Sequence, residues 1–189
     1  MIENQSQLQE LIAIIRERGF VALDTEFVWE KTYYPRLGLI QAGFSENEAY
    51  LIDVVKLEDL TPLGSILADE ELTLILHDAV QDLVILSRVT GSLPRNIFDT
   101  RLAAGFSGLR STISLRDLVQ EITGIELAKT ESRTNWIKRP LSDEQVAYAL
   151  DDVRYLPAVY QEECQRASGS GILNHLKEEY AEMIYYAYK

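Results

Sequence analysis

Phe20-Val21-Ala22-Leu23-Asp24-Thr25-Glu26-Phe27 is the stretch on which the reading of this chain turns. It opens as an apolar run of strand composition and then sets two carboxylates two residues apart. Side chains at i and i+2 of a strand share a face, so Asp24 and Glu26 stand side by side. Like charges so placed repel, and burying either one is costly. A cation held between them relieves both costs; exposure on an edge strand does so too, and the D-x-E pattern alone does not choose.

Around this strand the pattern is that of an α/β domain. Leu8, Leu11, Ile12 and Ile15 recur at helical spacing in Gln5 to Arg18, and Gly19 stops the helix. Leu37 to Phe44 and Ala49 to Val54 read as strands joined by the turn Ser45-Glu46-Asn47-Glu48, a hairpin. Thr61-Pro62 reads as a helix cap with proline in the first turn, Leu72 to Leu76 as a short strand, and Val80 to Val89 as a helix ending at Gly91. Further helices are expected over Asp99 to Phe106 and Ser114 to Ile122. Glu126 to Leu141 is polar and basic without a period, a long loop. Ser142 with Gln145 three residues on is a capping-box pattern. Ala167 to Gly171 reads as a linker, and Ile172 to Tyr188 as an amphipathic helix whose tyrosines suit packing. Early strands and late helices point to a mixed sheet. No internal repeat is found.

At 189 residues the chain suits one domain. A single cysteine, Cys164, excludes a disulfide framework, and with only His77 and His175 besides it a structural zinc site lacks ligands. Any metal is expected to be hard and oxygen-bound. No apolar run is long enough to span a membrane and the first residues carry no secretion signal, so a cytoplasmic location is the default. The net charge of -12 argues against a stand-alone binder of duplex phosphates. It does not argue against an enzyme that meets phosphate through divalent cations, which reverse the local field. The phosphate-cradling, dinucleotide-binding, zinc-protease and nucleophile-elbow motifs are all absent.

Four more acids stand at telling positions. On the helix from Asp143, Val146, Leu150, Val153 and Pro157 share one face, while Glu144, Ala147, Asp151 and Arg154 share a solvated one. Asp152 lies one turn from Tyr148 on a third face; it is a functional acid, or simply the hydrogen-bond partner of a half-buried core tyrosine. Asp82 sits among Val80, Leu83, Val84 and Leu86, where an acid needs a partner. Asp78 and Asp99 read as N-caps. His77 ends a strand, and a substrate contact and a structural role are both open to it.

Taken in order, these pieces resemble the catalytic domain of ribonuclease D, in the tyrosine subclass of the DEDD superfamily of 3′–5′ exonucleases. The likeness runs from about residue 6 to 165. It is carried by Leu23 to Phe27, by Tyr33-Tyr34-Pro35-Arg36-Leu37-Gly38-Leu39-Ile40-Gln41, and by His77 to Leu83 with Phe98-Asp99-Thr100. The last piece is Glu131-Ser132-Arg133-Thr134-x-Trp136 with Tyr148-Ala149-Leu150-Asp151-Asp152-Val153. The resemblance implies an RNase H-like fold, a mixed five-stranded sheet flanked by helices. It implies two divalent cations, Mg²⁺ or Mn²⁺, held by Asp24, Glu26, Asp82 and Asp152. Asp24 would bridge both, Glu26 and Asp152 would complete the water-activating site, and Asp82 would support the second ion. Tyr148 would orient the attacking water. Two such ions can stabilise the attacking and leaving oxygens of an in-line displacement.

The expected activity is hydrolysis of RNA from a free 3′ end, a single-stranded tail preferred, releasing nucleoside 5′-monophosphates in tRNA or structured RNA 3′ processing. Oligoribonuclease-like degradation of very short RNA and a non-catalytic RNA-binding domain are the alternatives. The presence of all four acids and Tyr148 argues against the latter. The domain is expected over residues 1–165, followed by a linker and helix over 166–189 without the helical HRDC modules of longer ribonuclease D chains. A monomer is favoured. Lys129, Arg133, Lys138 and Arg139 interleave with Trp136, a composition suited to gripping a single strand; the other reading is a solvated loop with Trp136 tucked into the core. Thr25 and Phe27 are expected beside the terminal nucleotide, and Lys31, Tyr33, Tyr34 and Arg36 flank the same end.

Overall fold

The computed structural model describes residues 1–31, 33–128 and 133–187. Its centre is a five-stranded sheet of order β3-β2-β1-β4-β5. β1 (Phe20–Val28), β2 (Arg36–Ser45) and β3 (Glu48–Asp53) run antiparallel, whereas β4 (Thr73–Leu76) and β5 (Ile97–Asp99) are parallel to β1. This is the mixed sheet expected from the resemblance. The residue pattern alone gave four of its strands. β5 has three residues, too few to show a period, and Asp99 was visible only as a helix start.

Strand alternation sorts the two faces. Val21, Leu23, Ile40, Ala42, Ile52, Leu74 and Leu76 face one layer, built by α1 (Gln5–Arg18), α2 (Gly64–Leu67) and α3 (Val80–Thr90). Ala22, Leu39, Leu51 and Ile75 face the other, where α6 (Asp143–Arg154) and α7 (Leu156–Ala167) supply Ala149, Val153 and Leu156. α4 (Thr100–Phe106) and α5 (Leu115–Thr123) pack on α7. Gly19 stops α1 in the left-handed conformation, φ 74°, as expected of a glycine C-cap.

Three local expectations are corrected. Leu60, not Thr61, stands before the 3-10 turn Thr61–Leu63, and the Asp59 carboxylate accepts the Thr61 N–H. Asp78 is not the cap of α3. It adopts φ 58°, a region that aspartate tolerates. The carboxylate of Asp99 instead accepts the N–H of Asp78 and Ala79, as well as those of Arg101 and Leu102 at the start of α4. The helix from Asp143 does not carry Pro157 on its face, because the helix ends before Tyr155 and Pro157 lies in the first turn of α7. The packing expected of the last helix is present: on α8 (Ile172–Ala187), Leu176 and Tyr180 pack with Phe98 and Ala103, and the Tyr180 hydroxyl donates to the Asp99 carbonyl at 2.9 Å.

Candidate active site

The register of β1 creates the site. β4 pairs with β1 from Phe20 only as far as Ala22, which faces Ile75, and ends at Leu76. β1 runs on to Val28 with β2 as its sole partner, placing Asp24 opposite Gln41 and Glu26 opposite Leu39. Both carboxylates therefore stand beyond the carboxyl ends of the parallel strands, where open α/β sheets leave a crevice. They lie on the face that α6 covers, and α6 and the loop leading into it come close because two sheet positions there have no side chain. A Cβ at Gly43 would lie 2.5 Å from the Val153 carbonyl oxygen, and one at Gly38 would collide with the Trp136 carbonyl.

α6 begins with the expected capping box, Ser142 and Gln145 bonding reciprocally. Its phase delivers Asp152 to the sheet and leaves Asp151 outside, paired with Arg154 at 3.5 Å. Asp24, Glu26 and Asp152 each present an oxygen within 4.8 Å of the other two. Asp82 arrives from the opposite side, in the first turn of α3, where it accepts a short hydrogen bond from the Thr25 hydroxyl. Tyr148 is half-buried one turn before Asp152, and its hydroxyl bonds toward that carboxylate.

The electrostatics follow from crowding acids in a dry place. Burial raises Asp24 well above the ordinary carboxylate range, with the charges of Asp82 and Asp152 adding to it. Burial and then Asp24 push Glu26 up to about 9. Burial raises Asp82 to about 7 despite the Thr25 hydrogen bond. Burial and Glu26 raise Asp152, one of whose oxygens is buried with no hydrogen-bond partner among the described residues. An acidic cluster bound so weakly by its own surroundings is suited to a cation. Burial also drives the Tyr148 hydroxyl upward, so it stays a neutral phenol.

The other candidates divide. His77 lines a cleft of about 160 Å³ with Asp24, Tyr148 and Asp152. Its ring nitrogens are 2.9 Å from the Thr100 hydroxyl and 3.1 Å from the Ile113 carbonyl, and burial lowers its pKa. Thr25 is buried, with its hydroxyl spent on Asp82, while Phe27 is half-buried at the site's edge. Arg133 and Lys138 are exposed; Lys129 lies outside the described residues. Trp136 is corrected. It is 0% exposed, packed with Leu39, Leu51 and Ala149 and tilted against Tyr148, so no base reaches its ring. Arg139 is likewise internal. It chelates Asp53 at 2.8–3.1 Å and donates to the carbonyls of Gly38 and Trp136.

Sequence reasoning gave Gln41 no role, yet it is fully buried and its amide donates to Glu26 at 3.3 Å. Its signal was a lone amide inside the apolar run Leu37 to Phe44.

A central strand bearing paired acids, an antiparallel hairpin on one side and two parallel strands on the other define the RNase H-like class. Within it the chain belongs to the 3′–5′ exonuclease family, whose model matches residues 1–162. It is 51% identical over 179 residues to ribonuclease D of Desulfotalea psychrophila, covering 95% of this chain and 48% of that protein. It is 42% identical over 156 residues to ribonuclease D of Escherichia coli, 82% of this chain and 41% of that one. The crystal structure of E. coli RNase D, described as an exoribonuclease involved in structured RNA processing, superposes with a TM-score of 0.94 at 37% identity, over 100% of this chain and 50% of that one. The catalytic core of RRP6 from Trypanosoma brucei shares the fold, with a TM-score of 0.82 at 21% identity over 97% of this chain and 50% of its own. The chain thus spans about half the length of the curated relatives it matches. Among the described residues no helix is long and apolar enough to cross a membrane.

Proposed function

We propose that residues 1–165 are the catalytic domain of a 3′–5′ exoribonuclease that hydrolyses RNA from a free 3′ end and releases nucleoside 5′-monophosphates, acting in tRNA or structured RNA 3′ processing. The observation that carries the reading is the meeting of Asp24, Glu26 and Asp152 within 4.8 Å at the end of the central strand, in a chain of the 3′–5′ exonuclease family. The donor set fits hard divalent cations. Every candidate ligand is a carboxylate oxygen, and one Asp152 oxygen is buried without a partner among the described residues. Asp24, Glu26 and Asp152 would hold one Mg²⁺ or Mn²⁺, and Asp24 with Asp82 a second. Bound there, the cations supply neutralisation of the acids and of the phosphate charge that develops in the displacement.

The remaining work belongs to the chain. Thr25 fixes the rotamer of Asp82, and Gln41 that of Glu26. Tyr148 keeps its proton and lines the cleft, where its hydroxyl orients a water for in-line attack; its raised pKa keeps it a neutral phenol that positions the water and does not deprotonate it. His77, neutral through burial, forms part of the wall against which the terminal nucleotide lies. Arg133 and Lys138 contact phosphates of the incoming strand from the exposed side of their loop.

The test is incubation with 3′-labelled RNA and DNA, with and without Mn²⁺. Labelled nucleoside 5′-monophosphate should appear first and EDTA should stop it. Internal cuts, or no cleavage of any strand, would refute the assignment. Comparing a tailed hairpin with a dinucleotide separates processing of structured RNA from disposal of very short fragments.

A further inference from the structure

The connection between β1 and β2 carries a surface that the acidic site leaves unused. Trp29 is 60% exposed, Tyr33 86% and Tyr34 46%. Large aromatic rings gathered in water on one short connection mark a place of contact. They are arranged in steps. Phe27 and Trp29 meet edge to face, centroids 6.4 Å apart at 87°, and Tyr33 and Tyr34 do the same at 4.7 Å and 81°. Arg88 of α3 lies 3.2 Å over the Tyr34 ring.

Both ends of this surface lie on elements that carry the acids. Phe27 directly follows Glu26 on β1, and Arg88 lies six residues beyond Asp82 on α3. Thr25 and Asp82 already tie these two elements together, so the rings extend the α3 side of the site outward. The surface is also locally basic in a chain whose net charge is -12. Lys31 and Arg88 are exposed, and Arg36 is only loosely paired with Glu30, at 3.7 Å.

We infer that Trp29, Tyr33 and the Tyr34–Arg88 pair form a stacking track for the unpaired bases upstream of the last two nucleotides of a single strand. The inference rests on the proposed function for its direction, with the strand's end at the acids and its body on the rings. Rings with a few cations suit a single strand, whose bases are free to stack; duplex bases are already stacked, and a duplex is gripped mainly through many phosphates. Stacking uses the face that every base has, so the track tolerates a range of sequences.

The chain has two tryptophans, Trp29 and the wholly buried Trp136, so fluorescence separates them. In EDTA, where no cleavage occurs, a decamer of adenosine should quench the emission that acrylamide can reach and leave the buried component. Replacing both Trp29 and Tyr33 by alanine should weaken decamer binding about tenfold or more, the scale of losing stacked bases. Trp29→Phe should keep most of the affinity. With Mn²⁺ present, the double alanine variant should raise KM for the decamer at unchanged kcat and leave dinucleotide turnover alone, since a dinucleotide does not extend along the track.

An unquenched Trp29, or a double variant that binds the decamer like the parent, overturns the inference. So does an equal loss on dinucleotide and decamer, which would place the rings in the acidic site itself. Emission that instead changes with protein concentration and not with RNA would make the surface a contact between copies. A parent that binds through Trp29 but cleaves nothing removes the proposed activity and leaves the track standing; cleavage with a silent Trp29 does the reverse.

Discussion

Glu163 sits on α7 with 2% of its surface exposed and neither carboxyl oxygen hydrogen-bonded among the described residues. Burial, with the Asp99 charge second, raises it from 4.5 to about 9. The folded protein therefore holds a proton that the unfolded chain releases as pH rises through 4.5. Stability from this group is fully present below that value and is lost progressively up to about 9. At pH 7 the loss is about 3 kcal/mol, and between pH 5 and pH 8 it grows by about 4 kcal/mol. Glu163→Gln keeps the shape and never ionises. Its unpaired amide costs about 1–3 kcal/mol, but equally at every pH, so the slope is diagnostic and the offset is not. Urea unfolding of both proteins across that range should show the variant gaining about 4 kcal/mol on the parent from pH 5 to pH 8. Profiles that stay parallel within about 1 kcal/mol would refute the reasoning. Glu163 would then be ionised in the fold and held by Arg166, whose charge already pulls it down.

Three further outcomes are expected. Millimolar Mn²⁺ should raise the melting temperature above that in EDTA, because a cation that binds only the folded acids stabilises by mass action, and Asp24→Asn should abolish the difference. Tyr148→Phe should retain metal affinity by calorimetric titration yet lose about 10²-fold in turnover, while Asp151→Asn, on the outer face of α6, should change neither. Arg133→Ala with Lys138→Ala should flatten the salt dependence of RNA affinity without altering turnover at saturation; an unchanged slope would move the phosphate grip elsewhere.

The readable part of the chain was the part decided locally. Helix ends at Gly19, Gly91 and Ser142 follow from caps within a turn, and the 100° step per residue separated Asp152 from Asp151 without any knowledge of the sheet. Failures came where a distant residue decided. Asp78 had the spacing of a cap, but a carboxylate 21 positions on, brought alongside by the β4–β5 pairing, took both amides. The meeting of Asp82 with β1 was hidden for the same reason. It depends on β1 outrunning β4, a register that no periodicity records, and here the family resemblance supplied what pattern could not.

The stretch from Arg133 to Arg139 shows the limit most plainly. Four of its side chains share the composition of a nucleic-acid grip, yet they face two ways. Arg133 and Lys138 point to solvent, while Trp136 and Arg139 point in. What sorts them lies on other elements: the gap at Gly38 that admits the Trp136 backbone, and Asp53 at the end of β3, 86 residues from its partner Arg139. Burial raises the Asp53 carboxyl, but the Arg139 guanidinium outweighs it and holds the group low, so the pair stays charged inside the protein. Breaking such a pair strands a buried charge. Arg139 therefore serves the site as an anchor, pinning Trp136 beneath Tyr148, and the surface open to RNA from this loop reduces to the cations the anchor leaves outside.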